Sequence, residues 1–255
     1  MQAPPPFTGV GVALVTLFDR AGELDAGATA EHAVRLVEAG VRGVVVAGST
    51  GEASSLDPDE RSALLSAVRA AVGSRAPVLA GTGAPSARQA VALSQRAAAD
   101  GADALLVLSP AGTDDPRPYY DAVARAVDVP VLAYHFPTVS APGIPVDLLC
   151  ELPVVGVKDS TGDPTRLAVE IDTVGEGVYT GSAALLLQAR AMGATGAILA
   201  LANADPEGCQ LAWDGDGRCQ REIVNGHRAG ALASIAGLKR AIAGHHGTSV
   251  TTRLP

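Results

Sequence analysis

The amino-acid sequence predicts an α/β protein, a single (β/α)8 barrel with a short C-terminal helical extension. Short apolar runs alternate with longer segments of helical period along most of the 255 residues. The runs number eight, and they read as continuous and not alternating apolar stretches, as parallel strands buried on both faces should. No long linker separates the units, which favours one closed TIM barrel. A doubly wound open sheet is the competing architecture.

The predicted strands are the Val-, Leu- and Ala-rich runs between the helical segments. In chain order they cover residues 10–18, 41–49, 77–83, 102–110, 130–137, 154–160, 177–183 and 195–203. Residues 1–205 are predicted to form the barrel core. Residues 206–255 then supply the last barrel helix and a short helical region, with one or two helices that include the Ala-rich stretch 228–244. Trp213 in this region is interpreted as a packing residue.

Two of the predicted helices carry clear end signals. The segment 57–73 opens with Asp57 as the N-cap and Pro58 at the first helical position, where a missing N–H costs nothing. The segment 85–101 closes on Gly101, a residue type that tolerates the left-handed conformation found just after helix ends.

Composition excludes several classes of function. A formal net charge of −8 argues against nucleic acid as a partner, because no basic stripe is present to replace phosphate counterions. No apolar run approaches the roughly 20 residues that span a bilayer, and the first residues lack the pattern of a signal peptide. The three cysteines and five histidines show no metal-ligand spacing. We therefore expect a cytoplasmic protein with no membrane contact and no metal or organic cofactor.

Lysine is rare in this chain, which draws attention to Lys158 at the end of the sixth predicted strand. The sequence holds two lysines, Lys158 and Lys239, among 19 basic residues. Gly156 should lie on the same face and leave a gap beneath the lysine. Burial among valines disfavours a charged ammonium, and an uncharged amine is the nucleophile that forms an imine with a ketone; arginine cannot do this. An ion pair with Asp159 or Glu52 is the alternative.

Polar side chains also follow the second and fifth predicted strands. Residues 48–51 hold two hydroxyls, Ser49 and Thr50, between two glycines, so hydroxyls and backbone amides can bind an anion; an ordinary loop is the alternative. Tyr134 ends the fifth strand, where a phenol either needs a hydrogen-bond partner or acts as an acid or base. His135 should point to the opposite face and is interpreted as a packing or supporting residue.

Side chains at the carboxyl ends of barrel strands meet at one mouth, so these groups should lie together. An amine, a phenol and a hydroxyl pair match the needs of a Schiff-base aldolase. Lys158 would capture a 2-oxo acid, Tyr134 would move protons, and Ser49 with Thr50 would hold the carboxylate.

Five motifs, in the same order along the chain, resemble those of the dihydrodipicolinate synthase / N-acetylneuraminate lyase family of class I pyruvate-dependent aldolases. They are GSTGE (48–52), AGTGA (80–84), YHFP (134–137), GVKDSTGD (156–163) and YTGSA (179–183). The similarity runs from about residue 12 to residue 203. It implies a barrel enzyme that acts on pyruvate and an aldehyde, without metal or organic cofactor, as a homo-oligomer, either a dimer or a tetramer.

The resemblance also implies roles for particular residues. Lys158 is similar to the lysine that forms the imine with pyruvate, and Tyr134 to the tyrosine that shuttles the proton, with Thr50 beside it in the relay. The carboxylate would be held by Ser49 and Thr50 together with Gly48. Two further residues match positions that line the pyruvate pocket: Gly181, and Ile198 through its backbone.

Two departures from the family pattern concern the second substrate. The segment 109–115 has no tyrosine where family synthases carry one that reaches into the neighbouring subunit, and Tyr119 and Tyr120 on the next helix are not substitutes. Val139 lies in a stretch where synthases have an arginine that grips the carboxylate of the aldehyde. The pyruvate half of the pocket is thus intact, whereas the other half is unlike that of a dihydrodipicolinate synthase.

The main hypothesis is a Schiff-base-forming class I aldolase or lyase for pyruvate or another 2-oxo acid, of the type that makes or cleaves 2-keto-3-deoxy sugar acids. One alternative is dihydrodipicolinate synthase proper, which joins pyruvate and aspartate semialdehyde. The other is a homologue that binds 2-oxo acids without turning them over.

Overall fold

The computed structural model describes residues 4–228 and 234–254, which form a closed barrel of eight parallel strands. Each strand pairs with the next, and β8 pairs with β1 through Gly9 and Gly196 to close the ring. The strands are β1 Gly9–Ala13, β2 Val44–Val46, β3 Val78–Gly81, β4 Ala104–Leu108, β5 Val131–His135, β6 Val157–Asp159, β7 Val178–Thr180 and β8 Gly196–Leu199. The predicted barrel is confirmed, and the open-sheet alternative is wrong.

All eight predicted strands are present, but each is shorter than its apolar run. The run 10–18 shows why, because β1 ends at Ala13 and the apolar residues continue into a buried loop. There Val15 and Leu17 pack against Leu238 and Ile242 of a C-terminal helix. An apolar run therefore reports burial, whereas the strand ends where its ladder of backbone hydrogen bonds ends.

The described α-helices surround the barrel and continue after β8. They are α1 Ala26–Glu38, α2 Pro58–Val72, α3 Ala87–Ala99, α4 Arg117–Ala124, α5 Pro164–Val174, α6 Leu186–Met192, α7 Pro206–Trp213, α8 Gly217–Arg228 and α9 Ile235–His246. Asp57 caps α2 in a complete capping box with Glu60, an arrangement that contributes about 1 kcal/mol. Gly101 follows α3 with φ of 93°, as predicted.

One strand-to-strand connection differs from the predicted pattern. Between β5 and β6 the chain forms only a 3₁₀ segment, Val146–Glu151, where a barrel usually has an α-helix. The segment 136–153 contains four prolines, and proline removes a helix hydrogen bond and restricts the residue before it. This connection therefore leaves the side of the barrel near β5 and β6 without a full helix.

The C-terminal region is richer in helices than predicted. In the described part of the chain, three helices, α7 to α9, follow β8, where one or two were predicted. The Ala-rich stretch 228–244 is not one helix, because α8 ends at Arg228 and α9 begins at Ile235; residues 229–233 lie outside the described part of the chain. Trp213 is buried in the same apolar cluster as the barrel helices, as expected of a packing residue. The division into 1–205 and 206–255 stays a proposal.

Two apolar layers hold the barrel. The larger layer lies between strands and helices. The smaller fills the barrel interior with side chains that include Phe7, Leu106, Leu132, Tyr179 and Ile198. A filled interior means that a ligand can reach the barrel only at its ends, so the polar groups at the carboxyl ends of the strands form the accessible chemistry.

Candidate active site

Lys158 lies inside the barrel on β6, directly paired with Tyr134 on β5 and Tyr179 on β7. The residue is 5% exposed, and its Nζ lies 4.3 Å from the centre of the Tyr134 ring. Within the described residues, no carboxylate oxygen comes within 4.0 Å of that nitrogen. The amine is therefore buried against aromatic surface without the ion-pair partner that would hold it in its charged form.

The ion-pair alternative for Lys158 is wrong, because both candidate carboxylates are engaged elsewhere. Glu52 accepts a hydrogen bond from Lys239 Nζ at 2.6 Å. Asp159 accepts from the backbone N–H of Thr161 at 2.9 Å and from its hydroxyl at 2.6 Å. Burial raises the pKa of Asp159, although these two hydrogen bonds oppose that shift.

Gly156 is needed for a different structural reason from the predicted gap beneath Lys158. A Cβ at this position would collide with the carbonyl of Gly177, because the two backbones approach closely where β6 and β7 begin. The glycine is therefore required by strand packing and does not leave a gap beneath Lys158. The predicted alternation itself is confirmed at the lysine: Val157 packs in the outer apolar layer, whereas Lys158 faces the interior.

Tyr134 is linked to the barrel mouth by Ser160, a residue that the sequence analysis missed. Ser160 Oγ donates to the Tyr134 hydroxyl at 3.4 Å, and the Tyr134 ring stacks on Phe136 at a centroid distance of 5.8 Å. Ser160 follows Lys158 by two residues, which places both on the same face of an extended chain. That spacing is the signal from which the serine could have been found.

Gly181 makes room for this serine. A Cβ at Gly181 would collide with Ser160 Oγ, and the Gly181 N–H donates to the Asp159 carbonyl at 2.6 Å. The glycine predicted from the resemblance thus lies beside β6 because the backbone and the Ser160 side chain approach it closely. Any larger residue would displace the hydroxyl that contacts Tyr134.

The loop of residues 48–51 is held in a strained turn after β2. Ala47 and Glu52, with φ of 50° and 54°, bracket it, and they are the non-glycine residues with positive φ in the described chain. Thr16 Oγ1 donates to the Gly51 carbonyl at 2.7 Å and supports the turn from the segment after β1. Such strain persists only where surrounding contacts impose it, and it is concentrated at functional sites.

A cavity of about 690 Å³ opens at the carboxyl ends of the strands. Its wall includes residues that follow five strands: Ser49, Phe136, Ser160, Gly181 and Ala200. Thr50 also lines it, so the structure brings together three of the predicted binding residues. Gly48, just before the two hydroxyls, is half-buried at the base of the loop.

Three other predicted residues lie next to this cavity without lining it. Lys158 and Tyr134 are each 5% exposed, and Ile198 belongs to the apolar interior with Tyr134. Thr50 forms no hydrogen bond with Tyr134 in the described chain, so the hydroxyl in contact with the phenol is that of Ser160. The relay role of Thr50 stays a prediction.

The rest of the cavity wall combines apolar groups, further hydroxyls such as that of Ser182, and acidic side chains. Its described charged side chains are Asp205 and Glu222, and apolar groups of α8 and α9 such as Ile223 and Leu238 complete the wall. Val139 is 57% exposed and also lines a second cavity of about 600 Å³. Among the described lining residues of the larger cavity there is no lysine or arginine.

Two further expectations concern side chains outside the cavity. His135 is buried on the opposite face, its Nδ1 accepts the Ile144 N–H at 2.8 Å, and burial together with Arg166 lowers its pKa to about 4. Tyr120 donates to the Val107 carbonyl and Tyr119 to the Ala84 carbonyl, at 2.9 and 3.0 Å. Burial raises the pKa of both phenols, which serve packing and not the site.

Within residues 4–228 and 234–254, no group of three or more His, Cys, Asp and Glu side chains is placed to hold a metal ion. In the same part of the chain, no helix has the length and apolar character needed to cross a bilayer.

A closed (β/α)8 barrel with a buried lysine, a neighbouring phenol and a hydroxyl-bearing loop at one mouth defines the class of protein: an aldolase-type enzyme. The family model described as the dihydrodipicolinate synthetase family matches residues 6–232. The chain therefore belongs to the dihydrodipicolinate synthetase family, which confirms the resemblance drawn from the five motifs.

Curated relatives agree with this assignment. An uncharacterized DapA-like lyase of Halobacterium salinarum is 39% identical over 246 residues, covering 91% of this chain and 79% of the relative. A 4-hydroxy-tetrahydrodipicolinate synthase of Natronomonas pharaonis is 38% identical over 213 residues, covering 79% of this chain and 72% of the relative. Lyases and synthases thus both occur among similar proteins.

Solved structures give the same result. YagE, a prophage protein of E. coli K12 in the dihydrodipicolinic acid synthase family, was solved in complex with pyruvate. It superimposes with a TM-score of 0.90 at 29% identity, covering 98% of this chain and 92% of that one. Dihydrodipicolinate synthase of Aquifex aeolicus gives a TM-score of 0.87 at 29% identity, with the same coverage.

Proposed function

We propose that this protein is a class I aldolase or lyase in which Lys158 forms a Schiff base with pyruvate or another 2-oxo acid. The observation that carries the proposal is the position of the Lys158 amine. It is buried beside Tyr134 at the carboxyl end of β6, with no described carboxylate within 4.0 Å. An amine with no carboxylate partner has no ion pair to break before it attacks a ketone.

The proposed reaction needs only groups of this chain. The Lys158 nitrogen adds to the ketone carbon of the 2-oxo acid, and Tyr134 donates its proton to the departing hydroxyl, so that one water molecule leaves and the protonated imine and a phenolate remain. The Tyr134 phenolate then takes a proton from the adjacent carbon, and the electron pair of that C–H bond forms the enamine. The enamine carbon attacks an aldehyde carbon, the new alkoxide takes a proton, and water releases the product from the lysine. Cleavage is the same sequence reversed.

The loop of residues 48–51 supplies the groups that bind the carboxylate of the 2-oxo acid. Ser49 and Thr50 face the cavity, and Gly48 precedes them in the same turn. We assign these three residues to the carboxylate of the 2-oxo acid. Gly181 and the backbone of Ile198 complete the pyruvate pocket on the opposite side, and Thr50 assists Tyr134 during proton transfer.

The second substrate is proposed to be an aldehyde, and the reaction to be of the 2-keto-3-deoxy sugar acid type. The described wall of the cavity has no lysine or arginine, and Val139 is exposed at its edge, which supports a partner whose reacting end carries no carboxylate. The likeness to a DapA-like lyase supports the lyase assignment.

The test is borohydride trapping with pyruvate, followed by peptide mapping. Because the chain has two lysines, a reduced adduct falls either on Lys158 or on Lys239, and the two are easily told apart. We expect label on Lys158 in the wild type and none in Lys158→Arg, which keeps the charge but cannot form an imine. An unlabelled wild type, or label on Lys239 alone, would contradict the proposal.

Dihydrodipicolinate synthase proper is the second candidate, favoured by the synthases among the relatives. A coupled assay with pyruvate and aspartate semialdehyde separates the two, because the lyase proposed here turns over neutral aldehydes at a higher kcat/KM. Trapping of pyruvate without turnover of any aldehyde would identify the third possibility, a homologue that binds 2-oxo acids without catalysis.

Two further properties are proposed and not required by the mechanism. We expect a cytoplasmic protein, and a homo-oligomer with two or four copies. Light scattering of the purified protein measures the second directly, and a monomer would remove the oligomer from the proposal without affecting the chemistry.

A further inference from the structure

The second lysine of the chain is as deeply buried as the first but is fully paired. Lys239 on α9 has no exposed surface, and its Nζ donates to Glu52 Oε1 at 2.6 Å and to the Thr251 carbonyl at 2.7 Å. The same nitrogen lies 4.5 Å from the centre of the Phe18 ring. Its partner Glu52 is the last residue of the GSTGE motif, directly after the proposed carboxylate-binding loop.

The other oxygen of the Glu52 carboxylate binds the C-terminal tail, which comprises the described residues after α9. Glu52 Oε2 accepts the backbone N–H groups of Arg253 and Leu254, each at 2.8 Å. One buried carboxylate thus receives a charged donor from α9 and two backbone donors from residues 201 and 202 positions away in sequence. Buried charges are stable only with such complete pairing.

Arg253 links the C-terminal tail to α2 and to neighbouring loops through its guanidinium group. Its guanidinium forms a double hydrogen bond with Glu60 of α2, at 2.8 and 2.6 Å, and also donates to the Gly22 and Ser55 carbonyls. It stacks 4.3 Å from the centre of the Phe18 ring, on which Lys239 also lies. The tail is therefore bound to the loop, to α2 and to the segment after β1.

These contacts fall at the strained end of the loop. Glu52 has φ of 54°, a conformation that costs free energy for any residue with a side chain. The contacts made by its carboxylate are available to compensate that cost, because all three donors come from elements distant in sequence. Loss of those donors would leave the turn free to relax and would move Ser49 and Thr50.

We propose that Lys239, Arg253 and Leu254 form a C-terminal clamp that positions the carboxylate-binding loop through Glu52. This inference rests on the proposed function, since it assigns the clamp to the grip on the 2-oxo acid. The three residues do not contact the substrate; they act through the conformation of residues 48–52. Lys158 and Tyr134 belong to β6 and β5, so the clamp controls binding and not the capacity of the amine to react.

The experiment measures trapping of pyruvate on Lys158 as a function of pyruvate concentration. Lys239→Met and Arg253→Ala should raise the half-saturating concentration by about tenfold and about threefold, because misplaced binding groups lose carboxylate affinity. The maximal labelled fraction should stay that of the wild type. Lys239→Arg, which keeps the charge, should recover part of the affinity.

A matched control removes two ion pairs whose residues do not line the cavity. Arg117 forms exposed ion pairs with Asp115 and Glu151, at 2.9 and 2.6 Å. Arg117→Ala should leave half-saturation within about twofold of the wild type, as surface ion pairs contribute little. If Lys239→Met does not fold, Glu52→Gln/Lys239→Met removes both buried charges together and, with Arg253→Ala, decides the question.

The outcomes separate the two proposals. If the wild-type protein is not labelled, the proposed function is wrong and the proposed clamp is wrong with it. A labelled wild type whose folded clamp variants show lower Tm but unchanged half-saturation overturns the clamp alone, since that result describes a purely structural role.

Discussion

The hydroxyl of Ser160 lies 3.4 Å from the hydroxyl of Tyr134 and joins this nearly buried phenol to the wall of the cavity. Tyr134 is also directly paired with Lys158, whose amine faces its ring. The hydrogen bond between the two hydroxyls thus connects the phenol beside Lys158 to the barrel mouth, and we propose that protons reach Tyr134 along it.

Replacing the phenol should slow turnover without preventing imine formation. Tyr134→Phe removes the group proposed to take a proton from the imine, and general acid–base groups contribute about 10²–10⁴-fold in rate. We expect kcat to fall by about 10²-fold or more, while pyruvate is still trapped on Lys158.

Tyr120→Phe is the matched control for this variant. It removes a buried phenol hydroxyl that donates to the Val107 carbonyl, outside the cavity. Its Tm should fall and its kcat should not. Equal losses of kcat in the two variants would contradict the role given to Tyr134.

Enlarging Gly181 should disturb the proton path through Ser160. The Cβ of Gly181→Ala would meet Ser160 Oγ, so the serine hydroxyl must move away from Tyr134 or the strands must separate. Overpacking of this kind costs about 1–3 kcal/mol. We expect a lower kcat and a lower Tm, read by steady-state kinetics and thermal melting.

Gly244→Ala provides the comparison, because no heavy atom lies within 4 Å of a Cβ at that helical position. Its kcat should be unchanged and its stability slightly higher, since alanine favours helix over glycine by about 0.5–1 kcal/mol. A kcat in Gly181→Ala equal to that of Gly244→Ala would rule out the proposed purpose of the glycine.

His135 contributes stability that is lost on acidification, because it is buried in its neutral form. Burial and Arg166 lower its pKa to about 4 in the folded state, whereas the unfolded chain titrates near 6.5. Between these values the unfolded state binds the extra proton, so the contribution of His135 to the free energy of unfolding decreases as pH falls from 6.5 to 4. Burial raises the pKa of Glu170 to about 8, which acts in the opposite direction, so the His135 contribution is read as the difference between two proteins that both keep Glu170. The expected loss is on the order of 3 kcal/mol, measured by urea unfolding.

His135→Asn isolates this contribution. The amide oxygen can accept the Ile144 N–H as Nδ1 does, but it does not titrate. Asp159, paired with His135 across the strands, Arg166 and Glu170 are present in both proteins, so the difference between the two stability curves reports His135. If the free energies of unfolding of the wild type and His135→Asn change in parallel between pH 6.5 and 4, His135 is not the source of the predicted loss.

A cation at position 139 should change the choice of aldehyde. Val139 is an exposed, uncharged residue at the edge of the cavity. The described charged residues that line this cavity are all acidic. Val139→Arg should raise kcat/KM for succinic semialdehyde relative to propanal by about tenfold, because arginine binds carboxylates through paired hydrogen bonds.

Val139→Gln, similar in polarity but uncharged, should leave that ratio within about twofold of the wild type. If the wild type already prefers the carboxylated aldehyde, the assignment of a neutral second substrate is wrong, whatever the variants do.

Much of the fold could be predicted because its signals are local. Eight apolar runs, the Asp57 cap and Gly101 each act over a few residues, and all are present in the structure. The strand ends and the 3₁₀ connection were missed for a different reason. Ladder hydrogen bonds end where a neighbouring strand ends, and the prolines of 136–153 outweigh the barrel pattern.

The candidate site likewise has one part that could be predicted from the sequence and one part that could not. The scarcity of lysine and the period of a strand were sufficient to select Lys158 and to place it inside the barrel. Which carboxylate pairs with which lysine was not predictable, because Glu52 and Lys239 are 187 residues apart and meet only when α9 packs over the barrel mouth.

The sequence alone thus determined the order of the strands, the fold they close into and the residue types available at their ends. Tertiary structure decided which of those residues meet: Ser160 with Tyr134, and Glu52 with Lys239 in place of Lys158. The physical reason is that apolar periodicity and capping are short-range properties of the chain, whereas hydrogen bonds between distant residues exist only after the barrel has closed.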